Sequence, residues 1–567
     1  MRKPLLCVML IACLLLSLGS VAYADEPTST PQVISSEGDT SKAGDTSEKT
    51  EVDLSAVISN EDSVYKPTSA FTSFTYDCWG DTVQCPDPYS LVRKVDGIAM
   101  GIGSIKKVID IYTDSEGFVY LTTNGDEAKD NSIVKMDAQL NVKAHWLGFY
   151  DGGKFVPFTK PCGIFVTGEE TNKGEIYVAD SSTKDVYHLK AQKDNTLKLV
   201  NTIAAPARAD SPIISDGFIE RYIPSRVVVD HTNRVYVVAT NVNEGIVTFN
   251  KEGKFDGFLA AGKVTIDAFT KFMKKYVYTD AQKKRTATSV PINYNNIDLD
   301  KEGFIFATLF TTDVSTVLSE IKHNDGTEAG ALVRRLNMMG TDILKRDGYA
   351  PPVGDTDILN AMENPDATYN GLSQITDVSC GNYGTYALLD NNRNHIFVYN
   401  NEGYLLYAFS GPDITAGGMK TPIAIAQNDN YLYVLDNNSS AIFLYERTEF
   451  ANAVIDAIRL EKAGKYSDAS TIWKKVLDYD STYDLAYLGL GKTAYWNGDY
   501  EESMRLFELC NNKTWYSKAW EETRKEVLAR WFMPIVFTII GLLVLSFVLK
   551  IMKKNKLKKQ KEATELE

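Results

Sequence analysis

Six copies of one short pattern between residues 106 and 447 constrain this chain more than any other feature. Lys106–Thr122 reads KKVIDIYTDSEGFVYLT, Tyr222–Ala239 reads YIPSRVVVDHTNRVYVVA, and Asn293–Thr308 reads NYNNIDLDKEGFIFAT. PCGIFVTGEETNKGEIYVAD follows from Pro161, ITDVSCGNYGTYALLD from Ile375, and TPIAIAQNDNYLYVLD from Thr421. Each copy has an alternating apolar strand, a polar or Gly turn and a second β-rich strand that often ends in Asp. A third strand follows, as at Ile396–Tyr399 and Ile442–Tyr445, with a charged or Asn-Glu-Gly turn such as Asn401–Gly403. An antiparallel sheet this small cannot bury both faces alone, so six of them predict radial stacking into a six-bladed β-propeller.

The pattern resembles NHL repeats over roughly residues 106–447, which implies a propeller domain at 61–448. The last copy has only three strands before the sequence turns helical. Tyr89–Val95 is expected to supply its outer strand, which closes the ring and removes an exposed edge. Two insertions break the spacing: a charged, helical one near 264–288, and a loop near 329–367 that contains GYAPPVGD. Insertions of this size shape a binding face or buttress the fold. Together with YDCWG at 76–80, they make the chain similar to bacterial secreted, membrane-anchored NHL propellers, which implies a surface location.

Both ends point to a membrane. Arg2 and Lys3 precede an apolar run to Leu18 and then Ala22-Tyr23-Ala24, the layout of a secretory signal peptide over 1–24. A lipoprotein site at Cys13 competes with it, but three leucines follow that cysteine. Residues 25–60 contain no aromatic residue and are rich in Ser, Thr and charge, a disordered acidic spacer. Near the C-terminus, 531–549 is a 19-residue uncharged run, close to the roughly 20 residues of a spanning helix, with Pro534 near its start. Seven lysines follow in the tail 550–567, so the tail is expected in the cytoplasm and the body outside. Without these end segments the chain has 51 basic and 71 acidic residues, which argues against nucleic acid as a partner.

From 449 to 530 the period becomes helical. Gly464-Lys465-Tyr466 recurs as Gly498-Asp499-Tyr500, 34 residues later, with Ala469 matching Ser503 and Trp473 matching Phe507. Tyr487, Leu490, Gly491 and Ala494 stand where tetratricopeptide (TPR) repeats place packing residues. The segment therefore resembles two TPR repeats followed by a capping helix at Thr514–Arg530. The resemblance makes Gly464, Tyr466, Ala469, Trp473, Tyr487, Gly491, Gly498, Tyr500 and Phe507 packing positions rather than a ligand platform.

The chemistry-bearing residues are sparse. His145, His188, His231, His323 and His395 are isolated in sequence, and a surface or turn role suits each better than a ligand set. Asp180, Asp390 and Asp436 recur after the second strand, as expected of turns in which a short carboxylate takes backbone N–H groups. No phosphate loop, nucleophile elbow or zincin helix is present in the sequence. Cys78 and Cys85 are a candidate disulfide closing CWGDTVQCP, since export permits one. Cys162, Cys380 and Cys510 read as buried thiols. These features predict a non-enzymatic binding or scaffold protein, with propeller and TPR as protein- or glycan-interaction modules accessory to a membrane complex such as a transporter. No cofactor is predicted. The alternative is a surface hydrolase, lyase or lactonase with a divalent metal on the propeller axis, an idea that rests on fold analogy.

Overall fold

The computed structural model describes residues 73–168, 173–260, 293–309, 314–323, 331–356, 372–412 and 417–564. The expected signal peptide, spacer and helical insertion near 264–288 lie outside the described residues. Six sheets follow one another in chain order around an axis, each contributing its first strand to the inside. The inner strands are Lys107–Thr113, Pro161–Val166, Ile223–Val229, Tyr294–Leu299, Ile375–Cys380 and Pro422–Gln427, in blades 1 to 6. Blade faces stack on their neighbours, so central strands are buried on both sides: every residue of Tyr386–Asp390 and His395–Tyr399 is buried. That double burial is why these runs are apolar almost throughout rather than strictly alternating.

Ring closure occurs as the sequence predicts. Tyr89–Asp96 lies antiparallel on Ala441–Arg447, from Tyr89 opposite Arg447 to Asp96 opposite Ala441. Just before it, the hairpin Phe74–Tyr76 and Thr82–Gln84 extends blade 5 by pairing Phe74 with Ala408. A second added hairpin, Gly148–Asp151 with Lys154–Pro157, borders blade 2. The described part of the expected loop insertion near 329–367 begins with Val333–Leu336, the third strand of blade 4. VRRL lacks an apolar alternation because its arginines are used in the sheet: Arg335 pairs with Asp300 and Glu302.

The candidate disulfide does not form; Cys78 and Cys85 are free thiols. Phe74 is opposite Gln84 and Tyr76 opposite Thr82, so Cys78 lies past the turn end of the hairpin while the Cys85 N–H bonds the Ser73 carbonyl at the other end. The strand residues Phe74–Tyr76 lie between the two levels and by themselves take up about 10 Å. A disulfide needs Cα atoms within about 7 Å.

Seven helices are described. Phe218–Arg221 (α1) and Val314–His323 (α2) are short elements between strands. Glu449–Lys462 (α3), Tyr466–Tyr479 (α4), Asp484–Trp496 (α5) and Tyr500–Leu509 (α6) form two antiparallel hairpins, and Lys513–Thr564 (α7) follows. Thr448 and Asp499 cap α3 and α6 by accepting backbone N–H groups. Gly464 and Gly498 take the left-handed turn between paired helices, with φ of 71° and 82°. Ala469, Ser503 and Phe507 are fully buried, Trp473 nearly so, and Tyr466 stacks on Trp496. Tyr500 meets Tyr495 edge to face, and the Tyr487 hydroxyl donates to the Ser481 carbonyl. Gly491 lets Phe507 close in: a Cβ there would stand 2.5 Å from its ring.

The helices and the propeller share one apolar core, in which Tyr407 and Phe409 meet Phe450, Trp473 and Tyr483. The Tyr483 hydroxyl donates to the Leu406 carbonyl at 2.8 Å, and Lys492 pairs with Glu402 at 2.7 Å. Lys462 reaches Glu302, and Asn512 donates to the Tyr404 hydroxyl. The inner helices α3 and α5 and the start of α7 therefore face the protein's own blades. Helix α7 has 52 residues, about 78 Å of helix. It is the one described helix long and apolar enough to cross a membrane. It runs through Pro534, which sits inside it and leaves the Arg530 carbonyl without its usual donor.

The closest contact in the helical region gives a direct test. A Cβ on Gly489 would fall on the indole nitrogen of Trp473, which is held by Glu461 at 2.6 Å. Gly489→Ala gains about 1 kcal/mol of helix propensity but overpacks a fixed indole at about 1–3 kcal/mol. A net loss of on the order of 1 kcal/mol is expected in urea denaturation, and an unchanged midpoint would refute the packing argument.

Candidate functional site

Each inner strand carries a bulge near its start, at 108/110, 161/164, 224/226, 294/296, 375/377 and 422/424. The residue that follows the bulge is Asp110, Gly163, Arg226, Asn296, Asp377 or Ala424 in blades 1 to 6. The bulge sets this position apart from the regular alternation, and here the repeated fold carries five residue types, with Asp twice. The Arg226 Nε stands 3.5 Å from Asp110 Oδ1, an ion pair without hydrogen-bond geometry, and Nε has no acceptor. Gly163 is needed beside it: a Cβ there would come within 2.7 Å of the Arg226 backbone.

The axial acids also tie blades together. Asp110 Oδ2 accepts the Ile164 N–H of the next blade at 2.9 Å, and Asp377 Oδ2 accepts the Ile425 N–H at 2.7 Å. Asn296 Nδ2 donates to Asp377 Oδ1 at 2.5 Å. Burial pushes both carboxyls up, Asp377 well above the usual carboxylate range, with the Arg226 guanidinium pulling the other way in each case.

Two residues further along each strand comes a second level: Tyr112, Phe165, Val228, Asp298, Ser379 and Ala426. Tyr112 and Phe165 lie together, ring centroids 4.9 Å apart. Asp298, in blade 4, is across the ring from Tyr112 in blade 1. Its carboxylate accepts the Cys380 N–H at 2.6 Å and the Leu299 N–H at 2.8 Å. Burial is the largest influence on Asp298 and pushes it up to about 6. Asp110, Arg226, Asn296 and Asp377 of the first level and all six residues of the second line an axial cavity of about 760 Å³ that opens past the strand ends at the turns around Asp114, Asp230, Asp300 and Asn428.

The other sequence candidates lie away from this cavity or at its rim. Asp180, Asp390 and Asp436 serve the turns as expected. Asp180 accepts the N–H groups of Thr159, Lys160, Ser182 and Thr183, and Asp436 those of Lys420, Thr421 and Ser439. His188 meets Glu175 at 2.7 Å and stacks on Tyr177, and His231 stands at the cavity rim. The side chain of His323 lies outside the described residues. Cys162 and Cys510 are buried; Cys380 is half-buried at the cavity wall. The nine expected helical packing positions, Gly464 to Phe507, are all in the helical region, none at the cavity.

His395 is buried among Phe74, Phe397 and the Arg393–Asp355 ion pair. Burial, then the Arg393 charge, lowers it to about 3, so the imidazole is neutral and its 3.9 Å approach to Asp355 is not an ion pair. A histidine unfolds to a pKa of about 6.5. The unfolded chain therefore binds the extra proton between these values, and stability present above pH 6.5 is lost as pH falls toward 3. His395→Gln is expected to flatten the acid limb of a urea-midpoint profile over that window. An acid limb of unchanged steepness would show that His395 does not contribute.

At the Asp110–Asp377 level the Arg226 guanidinium places a positive charge where a divalent cation on the axis would have to sit, which opposes such an ion there. Among the described residues no three His, Cys, Asp or Glu side chains converge as a metal-holding group.

No protein-family model and no curated protein matches the chain. Among solved structures, a virginiamycin B lyase from Staphylococcus aureus is similar over 63% of this chain and 99% of its own, at 10% identity and a TM-score of 0.34. A glucose dehydrogenase matches 64% of this chain and 99% of its own, also at 10% identity and 0.34. A surface component of the type-IX secretion system of Porphyromonas gingivalis matches 60% of this chain and 37% of its own, at 9% identity and 0.29. At these values the likenesses carry no argument about activity.

Proposed function

We propose that this is a membrane-tethered binding protein, exported by its signal peptide and held with the propeller outside and the Lys-rich tail inside. An NHL-type propeller takes a small polar ligand in its axial cavity, and a TPR-type module joins it to the span. The observation that carries this reading is the axial level itself. A fold that repeats six times places Asp, Gly, Arg, Asn, Asp and Ala at one equivalent position, and the four polar ones line a cavity of about 760 Å³ with an orphaned Arg226 N–H in its wall. A cavity of roughly 300–1,000 Å³ with a few convergent polar groups is the form of a small-molecule site, and buried polar groups at odds with the repeat are costly to keep without a use.

Helices α3 and α5 are engaged with the propeller, so a partner membrane complex would meet the outward helices α4 and α6, where Tyr479 at the end of α4 and Leu509 at the end of α6 are exposed. Crosslinking the full-length protein in its native membranes, followed by purification and mass spectrometry, is the test. A bound small molecule together with a near-stoichiometric membrane partner is the expected result. A protein that emerges alone and ligand-free would sink the reading.

The alternative, a surface hydrolase or lyase, draws support from Asp298: a cavity carboxyl that titrates at about 6 suits general acid–base work near neutral pH. Turnover of a lactone or ester panel that disappears in Asp298→Asn would establish it in place of simple binding.

A further inference from the structure

The axial cavity is strongly one-signed. Nine of its lining residues are acidic, against Arg226 and Lys301 as the only Arg or Lys. Several of these acids are already matched: Asp110 and Asp377 by Arg226, Asp300 and Glu302 by Arg335, Glu116 by Lys173. Of the other four, Asp114, Asp230 and Asp429 lie in the turns at the rim, and Asp298 alone stands on an inner strand. Its carboxylate takes two backbone N–H groups, and among the described residues no cation pairs with it. Across the cavity from it stand the rings of Tyr112 and Phe165, and Phe165 is 5% exposed and fixed in the core. Tyr112 lies near enough for the Asp298 charge, after burial, to push its phenol up.

A carboxylate facing two aromatic rings, inside an acid-lined cavity, combines the two features that bind an organic ammonium group. The rings attract a cation through their quadrupoles, and the carboxylate supplies the counter-charge. The surrounding acids raise the local concentration of cations. We propose that the cavity recognises a small organic ammonium compound, its charged nitrogen seated between Asp298 and the Tyr112–Phe165 pair. The proposal rests on the binding reading above and specifies its ligand class. A neutral sugar or an anion would leave the Asp298 charge unanswered, and a bare metal ion would gain little from the rings.

The test is calorimetric titration of the full-length protein in detergent with two matched pairs. Choline is compared with its carbon isostere, in which a quaternary carbon replaces the nitrogen, and glucosamine with glucose. At least one cation is expected to bind roughly tenfold or more tighter than its neutral partner. Asp298→Asn should remove that preference, and Phe165→Leu should reduce it severalfold for choline. Ala426→Trp, which fills the cavity from its second level, should abolish all binding.

If the neutral partners bind as well as the cations and Asp298→Asn changes nothing, the ammonium assignment is overturned. The binding reading then survives provided Ala426→Trp still blocks the neutral ligand. Binding by none of the four probes overturns the assignment as well, and leaves the cavity reading to the native-membrane experiment.

Discussion

Arg226→Met is expected to cost about 3–5 kcal/mol at pH 7.5, the usual loss when one partner of a buried ion pair is removed. The reason is local. The Arg226 and Asp110 side chains are 15% and 8% exposed, and Asp377 is buried at 4% in the same level. Without the guanidinium, two buried carboxylates face each other with backbone N–H groups as their main support. Both already titrate high because of burial, and Arg226 is what draws them down. Removing it raises them further, so the variant's deficit against the wild type is smallest at low pH and grows as pH rises through those folded values. Thermal melts at pH 4.5 and 7.5 check this. The variant should approach the wild type at the lower pH and melt on the order of 10 °C below it at the higher. Adding Asp110→Asn and Asp377→Asn should restore much of the neutral-pH loss. A pH-independent deficit, or none, would show that the axial charges are not coupled as the geometry states.

Truncation gives the second large effect. A chain beginning at Ser73 keeps every described element, whereas one beginning at Gly97 is expected not to fold cooperatively. The lost segment carries Phe74, Tyr76, Cys85 and Val95, each at most 4% exposed. At about 1.5–3 kcal/mol for a fully buried large apolar side chain, these four approach the whole net stability of a domain, about 5–15 kcal/mol. The truncation also strips the outer strand from Ala441–Arg447, the stacking of Tyr89 on Phe409 at 4.7 Å, and the bond from Thr448 to the Asp87 carbonyl. What remains is an open ring with an apolar edge, a template for aggregation. Size-exclusion chromatography and circular dichroism of the two truncations decide the matter. A peptide of residues 86–97 added to the shorter chain during refolding should restore part of the soluble fraction. A soluble, cooperatively melting chain from Gly97 would show that closure is dispensable.

The sequence makes the propeller legible because its signal is periodic: a strand that must face a neighbouring blade on both sides has little freedom of composition. The helical hairpins are legible for the same reason, through Gly464 and Gly498 and the residues 34 apart. VRRL at 333–336 does not read as a strand because Arg335 pairs with acids and Arg334 donates to the Tyr294 hydroxyl elsewhere in blade 4, which no local pattern shows. The two extra hairpins, at 74–84 and 148–157, were missed because they repeat nothing. The Cys78–Cys85 expectation failed because spacing in sequence says nothing of which hairpin end a residue occupies.

The axial site leaves a trace in the sequence. Aligning the six copies on the apolar residue at 111, 164, 227, 297, 378 and 425 places Asp110, Gly163, Arg226, Asn296, Asp377 and Ala424 in one column, the column where repetition gives way to charge. The sequence by itself determined the number of blades, the closing strand, the paired helices and the apolar helix, because each follows from local periodicity or from the need to bury one face. Only the tertiary structure decided that Arg226 would meet Asp110 from two blades away, and that Asp298 would stand across a cavity from Tyr112. It also decided that the inner helices would dock on blades 4 to 6. Those outcomes depend on distances between residues tens to hundreds of positions apart, set by the closing of the ring and the docking of the helices on it.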